Sequence, residues 1–131
     1  MIIGTGVDIV RIDRFESMQE KARFMKRVFS VSEREYLTNK GAQSMAGLFA
    51  AKEAISKALG TGFSGFFPCD IEILHDKNGK PFVMLHGKAQ EIANVFVNKK
   101  GDYTQSPSFS IHISISHNQT DAIACAVFSM Q

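Results

Sequence analysis

Between residues 46 and 59 the chain carries only four polar side chains, Lys52, Glu53, Ser56 and Lys57, in a run otherwise built from Ala, Gly, Leu, Phe and Ile. One carboxylate and two ammonium groups in so apolar a segment need a reason. Glu53 and Lys57 stand one helical turn apart on one face, and Lys52 is displaced from Glu53 by about 100° around the cylinder. The chemistry open to them is that of one shared polar site. The alternative is an ordinary surface pair at i,i+4, worth about 0.2–0.5 kcal/mol. A solvated face would normally carry more charge than these four positions supply.

The helix itself is read from Met45, Leu48, Phe49, Lys52, Ile55 and Leu59 at three- and four-residue spacing. Ala46, Ala50, Ala54 and Ala58 form a second, small-residue stripe that lets another element approach closely. Gly60 and Gly62 end it, since glycine readily takes the positive φ of a helix C-cap. Upstream, residues 2–12 read as a strand in which Asp8 points opposite Val7 and Ile9. A helix is expected around 18–29, where Phe15, Phe24, Met25, Val28 and Phe29 exceed what a short helix easily buries, which leaves some for a contact surface. Ser32 and Glu35 have capping-box spacing and predict a short helix ending near 39–41.

Downstream, 71–75 and 81–86 flank Asp76-Lys77-Asn78-Gly79-Lys80, a hairpin whose Asn-Gly supplies the turn. Ala89, Ile92, Ala93 and Phe96 mark another amphipathic helix, and 98–108 reads as a loop. The cleanest strand signal follows: Phe109, Ile111, Ile113 and Ile115 alternate with Ser110, His112, Ser114 and Ser116. His112 therefore sits on a polar face, where it either meets a ligand or bonds a neighbouring strand or loop. A compact strand at 122–128 closes the chain. The order of elements predicts α+β with mainly antiparallel pairing around the long helix.

With 131 residues, 44% of them hydrophobic, the chain has the size and composition of a single domain, 1–131, with a real core. Fifteen basic against thirteen acidic residues give +2, too balanced to indicate nucleic acid. Cys69 and Cys125 have no metal-binding spacing and are expected to be reduced, structural thiols. The N-terminus lacks the pattern of a signal peptide, and no apolar run approaches the ~20 residues of a membrane span, so a cytoplasmic protein without a membrane partner is expected. Gly4-Thr5-Gly6 is not a dinucleotide fingerprint, because no third Gly and no helix follow.

Three segments taken together, Gly4-Thr5-Gly6-Val7-Asp8-Ile9-Val10-Arg11-Ile12, Lys52-Glu53-Ala54-Ile55-Ser56-Lys57-Ala58 and Ser110-Ile111-His112-Ile113-Ser114-Ile115-Ser116-His117, resemble the 4'-phosphopantetheinyl transferases of the short holo-[acyl-carrier-protein] synthase type. The likeness covers almost the whole chain, including Asn78-Gly79-Lys80-Pro81. It implies the fold of that family, with a mainly antiparallel sheet packed on a long central helix. The implied activity is transfer of the 4'-phosphopantetheine arm of coenzyme A to a serine of apo acyl carrier protein, releasing adenosine 3',5'-bisphosphate, in support of fatty acid biosynthesis.

By the same resemblance Asp8 and Glu53 are the magnesium ligands, and Lys57 and His112 act with them as catalytic residues. Two carboxylates suffice for magnesium, which keeps several waters and takes its other ligands from substrate phosphates. Lys57, Gly60, Lys80, Pro81, His112 and Ser114 are the implied coenzyme A contacts. Arg14, Lys21, Arg23, Phe24, Met25 and Arg27 are the implied contacts to the acidic carrier protein. The short type further implies a homotrimer with coenzyme A held between neighbouring subunits. Two rivals fit parts of the pattern: a metal-independent acyl-thioester hydrolase or dehydratase of hot-dog type, and a regulator that binds coenzyme A without consuming it.

Overall fold

The expected long helix is α4 (Ala42–Ala58), and it is the centre of the molecule. It is buried on nearly every side, from Met45 through Ala58, leaving only Glu53 half-buried and Lys57 exposed along that stretch. Small side chains let other layers close on it. Gly60 (φ +82) and Gly62 (φ +59) end it as expected, Gly60 N–H donating to the Lys57 carbonyl at 3.0 Å and Gly62 N–H to that of Ser56 at 3.2 Å.

The structure is a computed structural model that describes residues 1–100 and 108–131. A strand, β1 (Ile2–Arg11), leads through two short helices, α1 (Asp13–Glu16) and α2 (Lys21–Val28), to α3 (Val31–Leu37) and then α4. A 3-10 turn at Pro68–Asp70 precedes the hairpin β2 (Ile71–His75) and β3 (Pro81–Leu85), whose turn glycine, Gly79, has φ +83. Then come α5 (Gly87–Lys100), β4 (Phe109–His117) and β5 (Asp121–Met130). The strands form two antiparallel sheets, β1-β5-β4 and β2-β3, so the predicted α+β class with antiparallel pairing on a central helix is what the chain adopts.

The larger sheet lies on α4 through its smallest residues. Gly6 pairs with Ala126, Asp8 with Ala124 and Val10 with Ala122, so the inward face near the helix is nearly free of bulk. A Cβ at Gly4 would stand 2.0 Å from the Ala58 carbonyl oxygen, and one at Gly6 would stand 1.9 Å from that of Ala54. Backbone carbonyls cannot swing aside as side chains do. Gly6→Ala is therefore expected to cost about 3 kcal/mol in urea unfolding, the upper range for overpacking; a loss below about 1 kcal/mol would mean that β1 lifts from the helix easily.

Four expectations are corrected. The capping box lies two residues earlier than Ser32 and Glu35: Ser30 caps α3, Glu33 N–H donating to Ser30 Oγ at 3.2 Å and Ser30 N–H to Glu33 Oε1 at 2.8 Å. Phe29 is fully buried, and Phe24 packs against Phe15, Phe29 and Phe49, so this aromatic cluster builds the core more than a surface. The helix α5 continues through Lys100, so 98–100 is helical, and the rest of the expected loop up to 107 lies outside the described residues. Cys125 faces outward on the sheet and is exposed, so it is no structural core thiol, although both it and Cys69 are free as expected.

Candidate active site

Strand alternation turns Asp8 toward α4 and sends Val7 and Ile9 to the outer face, where they are 55% and 64% exposed. Gly4 and Gly6, which precede Asp8 on the same face of β1, make this possible. With β1 pressed onto the helix backbone, Asp8 reaches the C-terminal half of α4, where Lys57 Nζ donates to Asp8 Oδ1 at 3.1 Å and to the Val7 carbonyl at 2.9 Å. Asp8 Oδ2 is buried and has no hydrogen-bond partner. A buried carboxylate oxygen without a donor costs free energy unless something cationic or protic meets it.

Glu53 stands beside it. Burial pushes the Glu53 carboxyl above the usual carboxylate range and the charge of Asp8 pushes it further, while Lys57 and Arg14 pull it back. Two like charges crowded into one partly buried place are the arrangement that a hard divalent cation relieves. Among the described residues no group of three or more His, Cys, Asp or Glu side chains gathers for a metal, so the donor set is this pair of carboxylates. Such a set fits magnesium, which asks for one or two carboxylates and leaves room for water and phosphate.

Lys52 does not share the site. Its Nζ is fully buried on another side of α4, donating to Glu33 Oε1 at 2.7 Å and to the Pro68 carbonyl at 3.1 Å. The first expectation, that Lys52, Glu53 and Lys57 serve one polar site, thus holds for two of the three. Burial lowers the pKa of the Lys52 ammonium, and the neighbouring Glu33 opposes that shift.

A second constellation forms elsewhere. Lys80, Pro81 and His112 line one groove of about 540 Å³ between β3 and β4, with Gln90 and Phe109 among its walls. His112 Nε2 lies 3.1 Å from Ser110 Oγ, which in turn meets Ser129 Oγ at 2.9 Å. Ser114 is exposed two residues further along the same outward face. Gly60 ends α4 beyond Lys57 and does not line this groove.

The register separates the two groups. Asp8 pairs with Ala124 and Ala124 with Ile115, all on the helix side, whereas His112 pairs with Val127 and Val127 with Thr5, all on the outer side. Asp8 and His112 therefore occupy opposite faces of one sheet, two strands apart. The outer face between them is unusually apolar, with Ile123 42% exposed beside Val7 and Ile9. Alternation in the sequence carried a signal for this face, since β1 and β5 place Val7, Ile9, Ile123 and Val127 at outward positions opposite Gly6 and the alanines of β5.

Of the expected carrier contacts, Arg14, Lys21, Arg23 and Arg27 are exposed on α1 and α2, and Phe24 and Met25 are half-buried against the core. Arg14 rests its guanidinium over Phe49 at 5.0 Å and over Phe15 at 5.5 Å, close enough to Glu53 to bias its charge. The basic patch therefore begins at the edge of the carboxylate site.

Comparison with known proteins gives this geometry a family. A holo-[acyl-carrier-protein] synthase of Clostridium perfringens (strain 13 / Type A) is 45% identical over 130 residues, covering 97% of this chain and 93% of that protein. One from Clostridium tetani is 46% identical over 97% of this chain and 95% of its own length. The crystal structure of Helicobacter pylori holo-[acyl-carrier-protein] synthase in complex with coenzyme A superposes with a TM-score of 0.77 at 34% identity, covering 95% of this chain and 99% of that one. The family model of the 4'-phosphopantetheinyl transferase superfamily matches residues 4–126, and it is to this superfamily that the chain belongs.

Proposed function

We propose that this protein transfers 4'-phosphopantetheine from coenzyme A to a serine of apo acyl carrier protein, giving the holo carrier and adenosine 3',5'-bisphosphate. The observation that carries the reading is the buried, partnerless Asp8 Oδ2 beside a Glu53 whose carboxyl is raised. Asp8 and Glu53 would hold a magnesium ion, whose chemistry is to neutralise the charge of a pyrophosphate during substitution at phosphorus.

The chain's own groups do the rest. The serine oxygen forms a bond to the β-phosphorus, the bond from that phosphorus to the bridging oxygen breaks, and the nucleotide leaves with the electron pair. The two groups placed to take the serine proton are Glu53 and a water held beside Asp8. Lys57 has three N–H donors, of which the Val7 carbonyl and Asp8 take two. The third is left for an oxygen of the leaving phosphate. Lys57 thereby orients Asp8 and stabilises developing charge at once.

The nucleotide end of coenzyme A is assigned to the groove of Lys80, Pro81 and His112, with Ser114 further along the same strand face, and Gly60, at the end of α4, is assigned to the Lys57 end of the ligand. Since Asp8 and His112 lie on opposite faces, one coenzyme A molecule meets both groups when they come from different copies of the chain. The exposed Val7, Ile9 and Ile123 suit burial between such copies, and the short type implies three of them. Arg14, Lys21, Arg23 and Arg27 would steer the acidic carrier toward Glu53. No helix among the described residues is long and apolar enough to cross a membrane. A cytoplasmic setting in fatty acid biosynthesis belongs to the same proposal, and two free thiols suit a reducing compartment.

The direct test is the mass of an apo carrier protein after incubation with coenzyme A, magnesium and this protein. A gain of one phosphopantetheine is expected, and chelation of the magnesium should abolish it. A regulator that only binds coenzyme A would leave every carrier unchanged, and a thioesterase would act without metal. No mass gain across several acyl carrier proteins would overturn the proposal.

A further inference from the structure

The hairpin that carries Lys80 and Pro81 is joined to the main sheet by no ladder: β2 pairs with β3 alone. The free edge of β2 therefore presents backbone groups to the protein interior without a strand to receive them. A buried ion pair receives them instead. Ile73 N–H donates to Glu33 Oε2 at 3.0 Å, and the Ile71 carbonyl accepts a short bond from Lys52 Nζ. Lys52 also donates to the Pro68 carbonyl at 3.1 Å and to Glu33 Oε1 at 2.7 Å, and both side chains are 0% exposed. Glu33 Oε1 closes the arrangement by accepting from Ser30 N–H, the cap of α3, at 2.8 Å.

A buried ion pair is weak evidence of stability, because apolar residues of similar volume often do as well. Apolar residues cannot supply directed bonds to Ile71 and Ile73. The pair thus acts as a substitute for a neighbouring strand, fixing the height and register of β2 against α4. Its reach extends to chemistry at both ends: Lys52 precedes Glu53 in the helix, and β2 leads through the turn to Lys80 and Pro81, across the groove from His112. We propose that Glu33 and Lys52 are positioning residues for coenzyme A, docking the β2–β3 hairpin on α4 so that Lys80 and Pro81 stand at the right distance from His112.

This inference rests on the coenzyme A reading of the groove. Removing one partner would strand a buried charge, so the principal variant is the double substitution Glu33→Leu with Lys52→Met, and Glu33→Gln is the milder companion. In the double variant the KM for coenzyme A is expected to rise about tenfold, while kcat and the KM for the carrier stay within about threefold of wild type. The dissociation constant of coenzyme A, measured without carrier, should rise by the same factor. Amides of β2 and β3 should lose hydrogen-exchange protection that β1 and β5 retain.

A folded double variant with wild-type coenzyme A affinity, or one that loses kcat with KM unchanged, would overturn the proposal. Should the double variant fail to fold, Glu33→Gln decides by the same two measurements, coenzyme A binding and hairpin exchange. A wild-type protein that modifies no carrier would sink the transferase reading separately, and coenzyme A binding would still decide the positioning role.

Discussion

Asp8→Ala is expected to slow carrier modification about a thousandfold, the scale on which a principal electrostatic stabiliser of a transition state acts. It should do so without harming the fold. The side chain is only 16% exposed, yet Oδ2 has no partner, so its removal deletes an unsatisfied buried atom along with the single bond that Oδ1 accepts from Lys57. Stability is expected to hold or rise slightly. Two rearrangements should accompany the loss: Lys57 keeps its bond to the Val7 carbonyl with one more donor left for solvent, and the Glu53 carboxyl, no longer facing a like charge, shifts down toward the ordinary glutamate range.

The measurement pairs carrier turnover over a magnesium titration with thermal unfolding of the same sample. Loss of turnover that high magnesium does not restore, with an unfolding temperature at or above wild type, is the expected result. A variant that unfolds early would show instead that Asp8 holds β1 to α4. Retained turnover would remove Asp8 from the metal site altogether. The combination of a stable protein and a dead site is the signature of a carboxylate pair kept for function at a cost to the fold, a cost that the proposed cation would offset.

Much of this was legible in the residues, because the strongest signals are periodic. Ile111, Ile113 and Ile115 alternate with His112, Ser114 and Ser116 as β4 requires, and Asn78-Gly79 turns the hairpin where expected. What alternation could not tell is which side of β1 faces in. Val7 and Ile9 are the natural core residues of that strand, but α4 lies so close that its side of the sheet has room for Gly4, Gly6 and the small residues of β5, and the larger apolar groups turn outward. The bulky residues mark a surface, and the small ones mark the core.

The direction of Lys52 was hidden for a related reason. A helix buried nearly all round has no amphipathic stripe to orient it, so a wheel separates Lys52 from Glu53 without saying which faces the site. The deciding partner, Glu33, lies nineteen residues away in sequence. The same residue decides the cap: Ser30-Glu33 and Ser32-Glu35 have equal spacing, and the frame with Glu33 wins because its carboxylate is also tied to Lys52 and Ile73. In α5 the run Asn98-Lys99-Lys100 reads as loop by polarity, yet the backbone there is helical, because polarity alone does not distinguish a loop from a solvated helix.

The second large effect concerns the division of the site. If coenzyme A meets the carboxylates of one copy and His112 of another, two crippled chains should repair each other. Asp8→Ala alone is expected to be nearly inactive, and His112→Ala alone to lose about ten- to a hundredfold, the worth of a charge-assisted hydrogen bond to phosphate. Co-expressed in equal amounts, the two chains mix at random. A site then has intact carboxylates in half of cases and an intact His112 in half, so about one site in four regains both in a closed ring of identical contacts. For mixed trimers isolated with two different affinity tags, which excludes the inactive unmixed rings, one site of the three is intact, so activity near a third of wild type, above either parent, is the expected result. Activity equal to the mean of the parents would place the carboxylates and His112 within a single chain's site, which requires coenzyme A to pass around the sheet edge. The opposite-face register of Asp8 and His112 argues against that path, and the exposed Val7, Ile9 and Ile123 between them supply the surface on which a second copy would bring the missing half.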